Sequence, residues 1–484
     1  MHLKRNHHPV APQRETVLQF GDGVFLRGFA DWIIHHMNQK GLFQGGVVTV
    51  NPRRSGNAEK MNDQDGLYTV SIQGMHEGKL IKRDEIVSCI KRGIHPYLNY
   101  PSYIKLAESD DLRFVISNTT EAGIRYREGE RLNDQPQESF PGKLAAFLYR
   151  RYQYFEGDPE KGLIFLPCEL VANNGGLLRE IILRYAEEWQ LEATFIDWVN
   201  QANTFCNTLV DRIVPGYSEE DALRIQQEHG YEDKLAIVAE PYYKWIIDAP
   251  SFVQEEFPAA AAGLRVQFVS ELGPYALLKV RILNGLHTAI MPIAYLAGKE
   301  TVREATEDPL IGLLLKSLCY EEIIPVLGVG EEEAIAFAEA IFERFRNPFI
   351  RHDLSSISLN SISKFRTRNV PTLKAYIESY GRVPRYLAFS LSALLVFYRG
   401  VRAGQRVPLN DQEDVLEFFG SVWHAEEGNL LHLTVSKILA QENLWGEDLT
   451  EYGELAGQVV KQVEMMLTYG MGESLIRLFQ VKTT

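Results

Sequence analysis

The order of apolar runs along the chain constrains its fold most strongly. In the first half, short apolar runs of strand length alternate with helical segments, and these runs lie at 16–20, 47–50, 112–116, 163–166 and 266–269. Short buried strands separated by helices are typical of βαβ units in a parallel sheet. The clearest helix of this half is predicted at 177–189, where an apolar side chain recurs every fourth residue. The pattern therefore predicts an α/β domain.

The second half has a different character, because strand-like runs become scarce after about residue 275. Long helical patterns replace them, at 278–297, 309–326, 331–346, 384–400, 412–420, 429–441 and 453–480. No Gly/Ser-rich linker separates the halves, so we place the boundary at Gly273-Pro274 and expect a tight interface. The predicted fold class is thus α/β plus all-α, with an α/β domain at 1–274 and an α-helical domain at 275–484.

Charge and composition narrow the functional classes. The 484 residues carry a net charge of −14, which argues against binding to nucleic acid or to anionic membranes and favours a small-molecule partner. The four cysteines lie far apart, no histidine motif for a metal is present, and no run approaches the ~20 apolar residues of a membrane span. With no signal-peptide pattern at the N-terminus, we expect a cytoplasmic protein without a bound metal; the oligomeric state stays open.

The segment after the first predicted strand contains a glycine pattern typical of nucleotide binding. Gly21 would allow a tight turn, Gly23 would allow a pyrophosphate to approach the backbone, and the following helix would offer unpaired N–H groups. The position of the usual third glycine holds Leu26, so an ordinary turn after a strand remains the alternative. The predicted cofactor-binding residues of this segment are Phe20, Gly21, Asp22, Gly23, Val24, Phe25, Leu26 and Arg27.

Two further loops follow predicted strands and are expected to contact the same cofactor. Asn51 follows the second strand, where an NAD site usually has Asp or Glu. Arg53 and Arg54 come next; they could hold the 2′-phosphate of NADP or form a solvated loop, so these residues leave NAD and NADP open. Asn118 lies in the small polar loop after the strand at 112–116. This loop could bind ligand or cap a helix, with Thr119 or Thr120 at the N-cap.

Near residue 280 the chain reads K-x4-N-x2-H, formed by Lys279, Asn284 and His287. On an α-helix these residues fall within an arc of roughly 140°. A base, an amide donor and an imidazole on one face suit proton transfer to a hydroxyl beside a polarised carbonyl. A free lysine titrates near ~10.4, so this role requires that burial and cations such as Arg281 lower the pKa of Lys279. The alternatives are a surface lysine and a core histidine.

These residues together resemble the mannitol dehydrogenase family of polyol-specific long-chain dehydrogenases. The similarity covers nearly the whole chain and rests on these segments: VLQFGDGVFLRGF, QDGLY (64–68), FVISNTTEAGI (114–124), PCEL (167–170), TLVDRIVPGY (208–217), ILNGLHTAIMPIA (282–294), YEEIIPVL (320–327), RFRNPFIRH (344–352) and KFRTR (364–368). The resemblance implies a Rossmann-type, doubly wound N-terminal domain, a helical C-terminal domain and a site between them. It also implies NAD as cofactor, Lys279 as general acid/base, Asn284 as the carbonyl-polarising group and His287 as a substrate contact.

Within the family, the similarity is greatest to members that act on hexuronates. It implies reversible reduction of D-tagaturonate to D-altronate in hexuronate catabolism; the alternatives are fructuronate, a neutral ketose such as fructose, or a non-catalytic nucleotide-binding regulator. One departure is Leu170, which stands where mannitol-type members have a second oxyanion asparagine. The candidates to replace that asparagine are Asn207, Asn173 and Asn174.

A hexuronate carries a carboxylate, which requires a local cation in a protein of net charge −14. The second domain has a basic run that consists of Arg344, Arg346, Lys364, Arg366 and Arg368. Most of these side chains are expected to pair with the surplus acidic residues. Lys364 matches a substrate-pocket lysine of the family, so we predict that Lys364 binds substrate and that one of the arginines assists.

Overall fold

The structure, a computed structural model, describes residues 3–119, 123–402, 404–424 and 431–480. The chain divides into two compact units, Met1–Leu272 and Gly273–Thr484. Within the described residues, the first unit contains three β-sheets, and the second unit consists of helices and one short two-stranded sheet. This architecture confirms the predicted fold class, α/β followed by all-α.

The strands of the first unit are β1 (Arg14–Phe20), β2 (Gly45–Val50), β3 (Tyr68–His76), β4 (Lys79–Val87), β5 (Ile90–Ile94), β6 (Phe114–Ser117), β7 (Ile164–Pro167), β8 (Thr204–Phe205), β9 (Asn207–Asp211), β10 (Ile237–Ala239), β11 (Lys244–Asp248) and β12 (Val266–Val269). The main sheet is six-stranded, with the order β5-β2-β1-β6-β7-β8, and its neighbouring strands pair in parallel. The order reverses between β1 and β6, which is the switch point where doubly wound sheets bind ligands. Four of the five predicted strands are β1, β2, β6 and β7, so the doubly wound sheet is confirmed.

The fifth predicted strand forms but does not belong to this sheet. It is β12, which pairs with β11 in a separate sheet of order β12-β11-β9, while a third sheet has the order β10-β3-β4. Its expected place in the parallel series was therefore wrong. An apolar run indicates a strand but does not identify the partner strand, and here β11 pairs with β9 in the antiparallel direction.

Helices cover both faces of the main sheet. They are α1 (Val24–Arg27), α2 (Ala30–Gln39), α3 (Ala58–Asp63), α4 (Tyr100–Ile104), α5 (Phe140–Tyr154), α6 (Asn174–Glu188), α7 (Ala193–Ala202), α8 (Glu219–His229) and α9 (Ser251–Glu256), with 3-10 turns at Lys105–Glu108 and Pro159–Lys161. Successive residues of a strand point to opposite faces. Accordingly, Val17 of β1 packs in one apolar core with α2, and Leu18 packs in another with α5 and α6. The helix predicted at 177–189 is α6.

The second unit is helical. Its helices are α10 (Gly273–Leu278), α11 (Gly285–Leu296), α12 (Val302–Glu307), α13 (Pro309–Ser317), α14 (Glu331–Phe345), α15 (Leu354–Ile357), α16 (Ser361–Arg368), α17 (Val370–Tyr380), α18 (Arg385–Phe397), α19 (Glu413–His424), α20 (Leu431–Leu439), α21 (Glu442–Trp445) and α22 (Leu455–Gln480), with 3-10 turns at Ile324–Val326 and Leu449–Glu451 and strands β13 (Val401–Arg402) and β14 (Gln405–Arg406). α22 bends at Gly470, whose backbone is not helical. In the ranges that the structure describes, no helix is both long and apolar enough to cross a membrane.

Two stretches that were predicted as continuous α-helix contain π-helical turns. One is Lys279–Asn284, between α10 and α11, and the other is Leu318–Ile323, after α13. The uninterrupted α-helix expected at 278–297 is therefore wrong at the residues of greatest interest. An apolar stripe tolerates one extra residue in a turn, so the sequence pattern does not reveal the wider i→i+5 hydrogen bonding. Such turns occur frequently at functional sites.

Candidate functional site

The carboxyl ends of the main strands are level with one another, and the predicted cofactor residues follow them directly. Phe20 of β1 is in register with Val50 of β2 and with Ser117 of β6. The next residues along the chain are Gly21, Asn51 and Asn118. The fold therefore brings three separated predictions together along one edge, at the switch point of the sheet.

The two glycines of the turn after β1 have different surroundings. Gly21 has φ +118°, and a Cβ at this position would lie 2.9 Å from the backbone oxygen of Asn118 and 3.2 Å from a methyl carbon of Leu26. Only glycine fits such a position without strain. Gly23 has φ −69° and precedes α1, and no heavy atom lies within 4 Å of a Cβ built there. Gly21 thus serves the turn, whereas the backbone at Gly23 faces open space.

The side chains of this turn are mostly directed into the protein. Phe20 and Leu26 are core residues. The buried Arg27 guanidinium donates to the backbone oxygen of Asp22 at 3.1 Å and to that of Leu235, and burial lowers its pKa. The Asp22 carboxylate accepts from the backbone N–H of Asn57. These polar groups hold the turn, and the cofactor contacts expected of Asp22 and Arg27 stay predictions.

The remaining two residues of the turn, Val24 and Phe25, begin α1 and are partly buried. The Phe25 ring stacks on that of Phe29, with centroids 5.0 Å apart. Both side chains pack against the same core as α2. Their placement therefore supports a role in shaping the turn.

Asn51 has the surroundings of a ligand-binding residue. Its backbone N–H donates to Ile94 at 3.0 Å, and the residue is fully buried. Among the described residues, neither its side-chain nitrogen nor its side-chain oxygen has a hydrogen-bond partner. An unpaired buried amide costs about 1–3 kcal/mol, so native proteins seldom retain one without a function. Nearby, the exposed Arg54 pairs with Glu138 at 2.6 Å and lies over the Tyr97 ring.

The loop after β6 is fixed by a buried carboxylate. Glu169 accepts from the Ser117 hydroxyl at 2.9 Å and from both the backbone N–H and the hydroxyl of Thr119 at 3.0 Å. Burial raises the pKa of Glu169, and these hydrogen bonds oppose that rise. Asn118 donates its amide to the backbone oxygen of Cys168 at 2.7 Å. Thr119 therefore anchors the loop to Glu169. Thr120 and the two residues after it lie outside the described residues, so the helix cap proposed for Thr119 or Thr120 stays a prediction.

The three asparagines proposed to replace the missing oxyanion donor differ in how the protein uses their side chains. The Asn207 carbonyl oxygen accepts from the backbone N–H groups of Gly175 and Gly176, at 3.0 and 3.2 Å, and so caps α6. Asn174 is buried, and its amide donates to the backbone oxygens of three residues. Asn173 is exposed, with φ +53°. The Asn207 side-chain oxygen thus caps a helix, which its sequence position did not reveal, and the substrate contact expected of its amide N–H group stays a prediction.

In the second unit, Lys279 and Asn284 are the first and last residues of the π-helical turn. The α-helical arc calculated for them does not apply, because an i→i+5 turn places residues five apart beside each other. Both residues are partly buried. His287 lies in the first turn of α11, directly after the π-helical turn. The π-helical turn thus strengthens the prediction that Lys279 and Asn284 share one side of the helix.

Three hydrogen bonds join this segment to α16 and the residue after it. Arg281 Nη1 donates to the backbone oxygen of Arg368 at 3.2 Å, and Asn369 Nδ2 donates to that of Gly285 at 3.2 Å. Arg368 Nη1 donates to the hydroxyl of Thr288 at 3.1 Å. The segment that carries the K-x4-N-x2-H motif and the helix that carries the predicted substrate lysine are therefore packed together.

His287 has an imidazole that stays neutral at physiological pH. Its ring centroid lies 4.4 Å from that of Phe345 and 4.8 Å from that of His352. Burial is the main cause that lowers the pKa of His287 well below its ordinary value, followed by the neighbouring His352 and by the charges of Arg344, Arg368 and Lys364. Its Nε2 atom is buried and has no hydrogen-bond partner among the described residues. A neutral imidazole with one unused nitrogen suits a hydrogen bond to a substrate hydroxyl.

The basic run separates into two groups. The charges of Arg344, Arg368 and Lys364 all lower the pKa of His287, and Arg368 also donates to the hydroxyl of Thr288, the next residue in the chain. In contrast, Arg366 donates to the backbone oxygen of Asn443, and Arg346 is exposed. Sequence position alone did not distinguish the two groups, although Lys364 and Arg368 share a helix face at i and i+4.

The described residues include one group with metal-binding side chains, formed by Asp84, Glu228 and His229. Arg224 lies 2.8 Å from Asp84 and 2.6 Å from Glu228. The Arg224 guanidinium already compensates the charge of the Asp84 and Glu228 carboxylates. Glu228 and His229 are exposed to solvent. This arrangement is a surface ion-pair network rather than a metal centre.

Comparisons with known proteins cover both units. Residues 15–260 match the Mannitol dehydrogenase Rossmann domain, and residues 271–467 match the Mannitol dehydrogenase C-terminal domain. The chain is 48% identical to the altronate oxidoreductase of Bacillus subtilis (strain 168), over 95% of this chain and 94% of that protein.

Two solved structures share the fold over both units. The Pseudomonas fluorescens mannitol 2-dehydrogenase ternary complex with NAD and D-mannitol covers 99% of this chain and 100% of its own, with a TM-score of 0.69 and 22% identity. D-Sorbitol dehydrogenase in substrate-free form covers 98% and 100%, with a TM-score of 0.82 and 20% identity.

Proposed function

The chain belongs to the mannitol dehydrogenase family, and from that premise we propose that it interconverts D-tagaturonate and D-altronate with NAD(H) as cofactor. The observation that carries the proposal is the 48% identity, over nearly the full length of both chains, to the altronate oxidoreductase of Bacillus subtilis. The matched domains make the protein an oxidoreductase that acts on a CH–OH group of a small molecule.

The residues at the edge of the main sheet fit a nicotinamide dinucleotide. When bound, this cofactor exchanges a hydride with the substrate carbon. The open space at Gly23 would allow a pyrophosphate to approach the backbone, while Gly21 maintains the turn. The buried Asn51 amide, unpaired among the described residues, would hydrogen-bond a ribose hydroxyl. Two independent observations, one steric and one of hydrogen bonding, therefore support a dinucleotide at the switch point.

NAD is the better candidate than NADP. A 2′-phosphate requires a free cation, and Arg54 already pairs with Glu138 and lies over an aromatic ring. The exposed Arg53 remains, but an exposed flexible arginine binds phosphate weakly without a second partner. The structural neighbour with NAD bound is consistent with this choice.

Lys279 would transfer the proton of the reaction. Reduction of a ketone adds a proton to oxygen, and the Lys279 ammonium would donate it; in the oxidation direction the neutral amine would accept it from the hydroxyl. Asn284 would donate its amide N–H to the same oxygen, where negative charge develops. The π-helical turn supports this division of roles, because residues that are five apart in such a turn lie on the same side of the helix.

His287 and Lys364 would bind the rest of the substrate. The unused Nε2 atom of His287 suits a hydroxyl, because the imidazole is neutral and its pKa is well below the ordinary value. Lys364 would supply positive charge for the carboxylate.

The test is a substrate panel with the purified protein. NADH oxidation would be followed with D-tagaturonate, D-fructuronate and D-fructose at matched concentrations, and D-tagaturonate should give the highest kcat/KM. A higher value for D-fructuronate would reassign the substrate within the family, and a higher value for D-fructose would contradict the uronate proposal. Absence of turnover with every member of the panel would favour a nucleotide-binding regulator.

A further inference from the structure

Three cations, Arg344, Lys364 and Arg368, act on the His287 imidazole through their charge, although acidic residues outnumber basic ones by 64 to 50 in this protein. We refer to them as the cation cluster. The charges that act on the His287 imidazole come from these three residues and from His352, and all of them lower its pKa. Like charges that are partly removed from water repel one another, and a bound anion would relieve that repulsion.

The repulsion is most direct between Lys364 and Arg368, which belong to the same helix. They occupy positions i and i+4 of α16, where like charges destabilise a helix. Burial and the charge of Arg368 both lower the pKa of Lys364, so the two side chains influence each other directly. An anion between them would convert this repulsion into two attractive contacts.

The two side chains differ in how far the protein already satisfies them. Lys364 Nζ donates to the backbone oxygen of Ile357 at 3.0 Å, and the negative charge of Asp411 raises its pKa. The Arg368 guanidinium donates to the Thr288 hydroxyl, and within the described ranges no carboxylate forms an ion pair with it. Burial is the cause that lowers the pKa of Arg368. Arg368 therefore retains the greater unused hydrogen-bonding capacity.

The position of Arg368 is fixed relative to the reacting groups. Arg281, inside the π-helical turn, donates to the Arg368 backbone oxygen. One guanidinium nitrogen of Arg368 donates to the hydroxyl of Thr288, the residue that follows His287 in the chain. A planar guanidinium held at one nitrogen can still present a pair of N–H groups to a carboxylate. Lysine offers only a point charge.

We propose that Arg368 is the specificity-determining carboxylate ligand of this enzyme, with Lys364 and Arg344 as supporting charges, and that it selects acidic substrates over neutral ones. The proposal rests on the proposed function, because it assigns one end of the hexuronate to α16. It assigns to Arg368, rather than to Lys364, the larger part of the discrimination.

The test compares an aldonate with its neutral counterpart. Oxidation of D-altronate and of D-altritol, which has CH2OH in place of the carboxylate, would be measured with wild type and with Arg368→Gln. The variant should lower kcat/KM for D-altronate by about ten- to a hundredfold, mainly through KM, because one charge-assisted contact is lost. The value for D-altritol should change less than about threefold. Arg368→Lys should recover part of the loss, and Lys364→Gln should lose less than Arg368→Gln.

Arg366→Gln is the matched control, because Arg366 lies on the same helix and donates to the backbone oxygen of Asn443. Arg366→Gln should leave kcat/KM unchanged for both D-altronate and D-altritol. An equal effect of Arg368→Gln on D-altronate and D-altritol would indicate a structural role and overturn the proposal. A wild-type enzyme that oxidises D-mannonate in preference to D-altronate would refute the proposed substrate only. The same comparison with D-mannonate and D-mannitol would then decide the role of Arg368.

Discussion

The two glycines after β1 allow the turn and the cofactor site to be tested separately. Gly21→Ala and Gly23→Ala add the same methyl group at positions two residues apart, one crowded and one open. At Gly21 the methyl group would meet a backbone oxygen at 2.9 Å in a residue with φ +118°, whereas at Gly23 it would enter open space. We therefore expect Gly21→Ala to impair folding and Gly23→Ala to leave it intact.

The magnitudes follow from these surroundings. A non-glycine residue in a sparsely populated backbone region costs about 1–3 kcal/mol, and the collision at Gly21 adds to this because a backbone carbonyl moves only with its strand. Gly23→Ala should change the free energy of unfolding by less than about 1 kcal/mol, mainly through the helix start. The larger Gly23→Val side chain should exclude the pyrophosphate and raise the Kd for NADH at least about tenfold, or ~1.4 kcal/mol.

Urea unfolding and NADH fluorescence titration measure the two effects independently. The reasoning predicts a crossed pattern, in which Gly21→Ala lowers stability and Gly23→Val lowers cofactor affinity in a folded protein. It would be refuted by a folded Gly23→Val protein with wild-type NADH affinity, or by a Gly21→Ala protein as stable as Gly23→Ala.

Three further predictions concern other residues. Lys279→Ala should lower kcat by about 10²–10⁴ with NADH affinity near wild type, because only proton transfer is lost; steady-state assays that find more than about a tenth of wild-type kcat would contradict the assignment. The double variant Arg53→Ala/Arg54→Ala should keep its preference for NADH, and a wild-type kcat/KM that is higher for NADPH would reverse the cofactor proposal. Glu322 is buried, and burial raises its pKa from 4.5 to about 7, so its stabilising contribution is complete below pH ~4.5 and is lost as the pH rises through 7. Glu322→Gln should therefore reduce the fall in unfolding free energy between pH 5 and 8 by up to about 3 kcal/mol in urea titrations, and an unchanged pH dependence would contradict the raised pKa.

The strands of the main sheet could be predicted because each one is recognisable from its own residues. β1, β2, β6 and β7 are short apolar runs that are buried on both faces, and each run is visible in the sequence without knowledge of its neighbours. Strand partners are not local, and for this reason β12 was placed in the wrong sheet. The β3–β4 hairpin was missed because β4 is largely polar and exposed.

The site was predictable to the level of the motif and no further. The order of residues located Gly21, Gly23 and the K-x4-N-x2-H segment, because these depend on residue type and spacing. The π-helical turn was not predictable, since its extra residue leaves the apolar stripe of the helix intact. The partners of Asn207 were not predictable either, because the backbone N–H groups that it caps belong to a helix more than thirty residues earlier in the chain.

The residues that the motifs selected can be ranked by whether the protein already uses their polar groups. The Arg27 guanidinium donates to two backbone oxygens, and the Asn207 side-chain oxygen accepts from two backbone N–H groups. Asn51 and His287 keep buried polar atoms that lack a partner among the described residues, at about 1–3 kcal/mol for each atom. Other described residues outside the predicted site, among them Trp245 and Trp423, also have a buried polar atom without a partner, so this criterion by itself does not identify a ligand site. It ranks residues that a motif has already selected. A bound ligand would recover the cost at Asn51 and His287, whereas the Arg27 guanidinium is already bonded to two backbone oxygens.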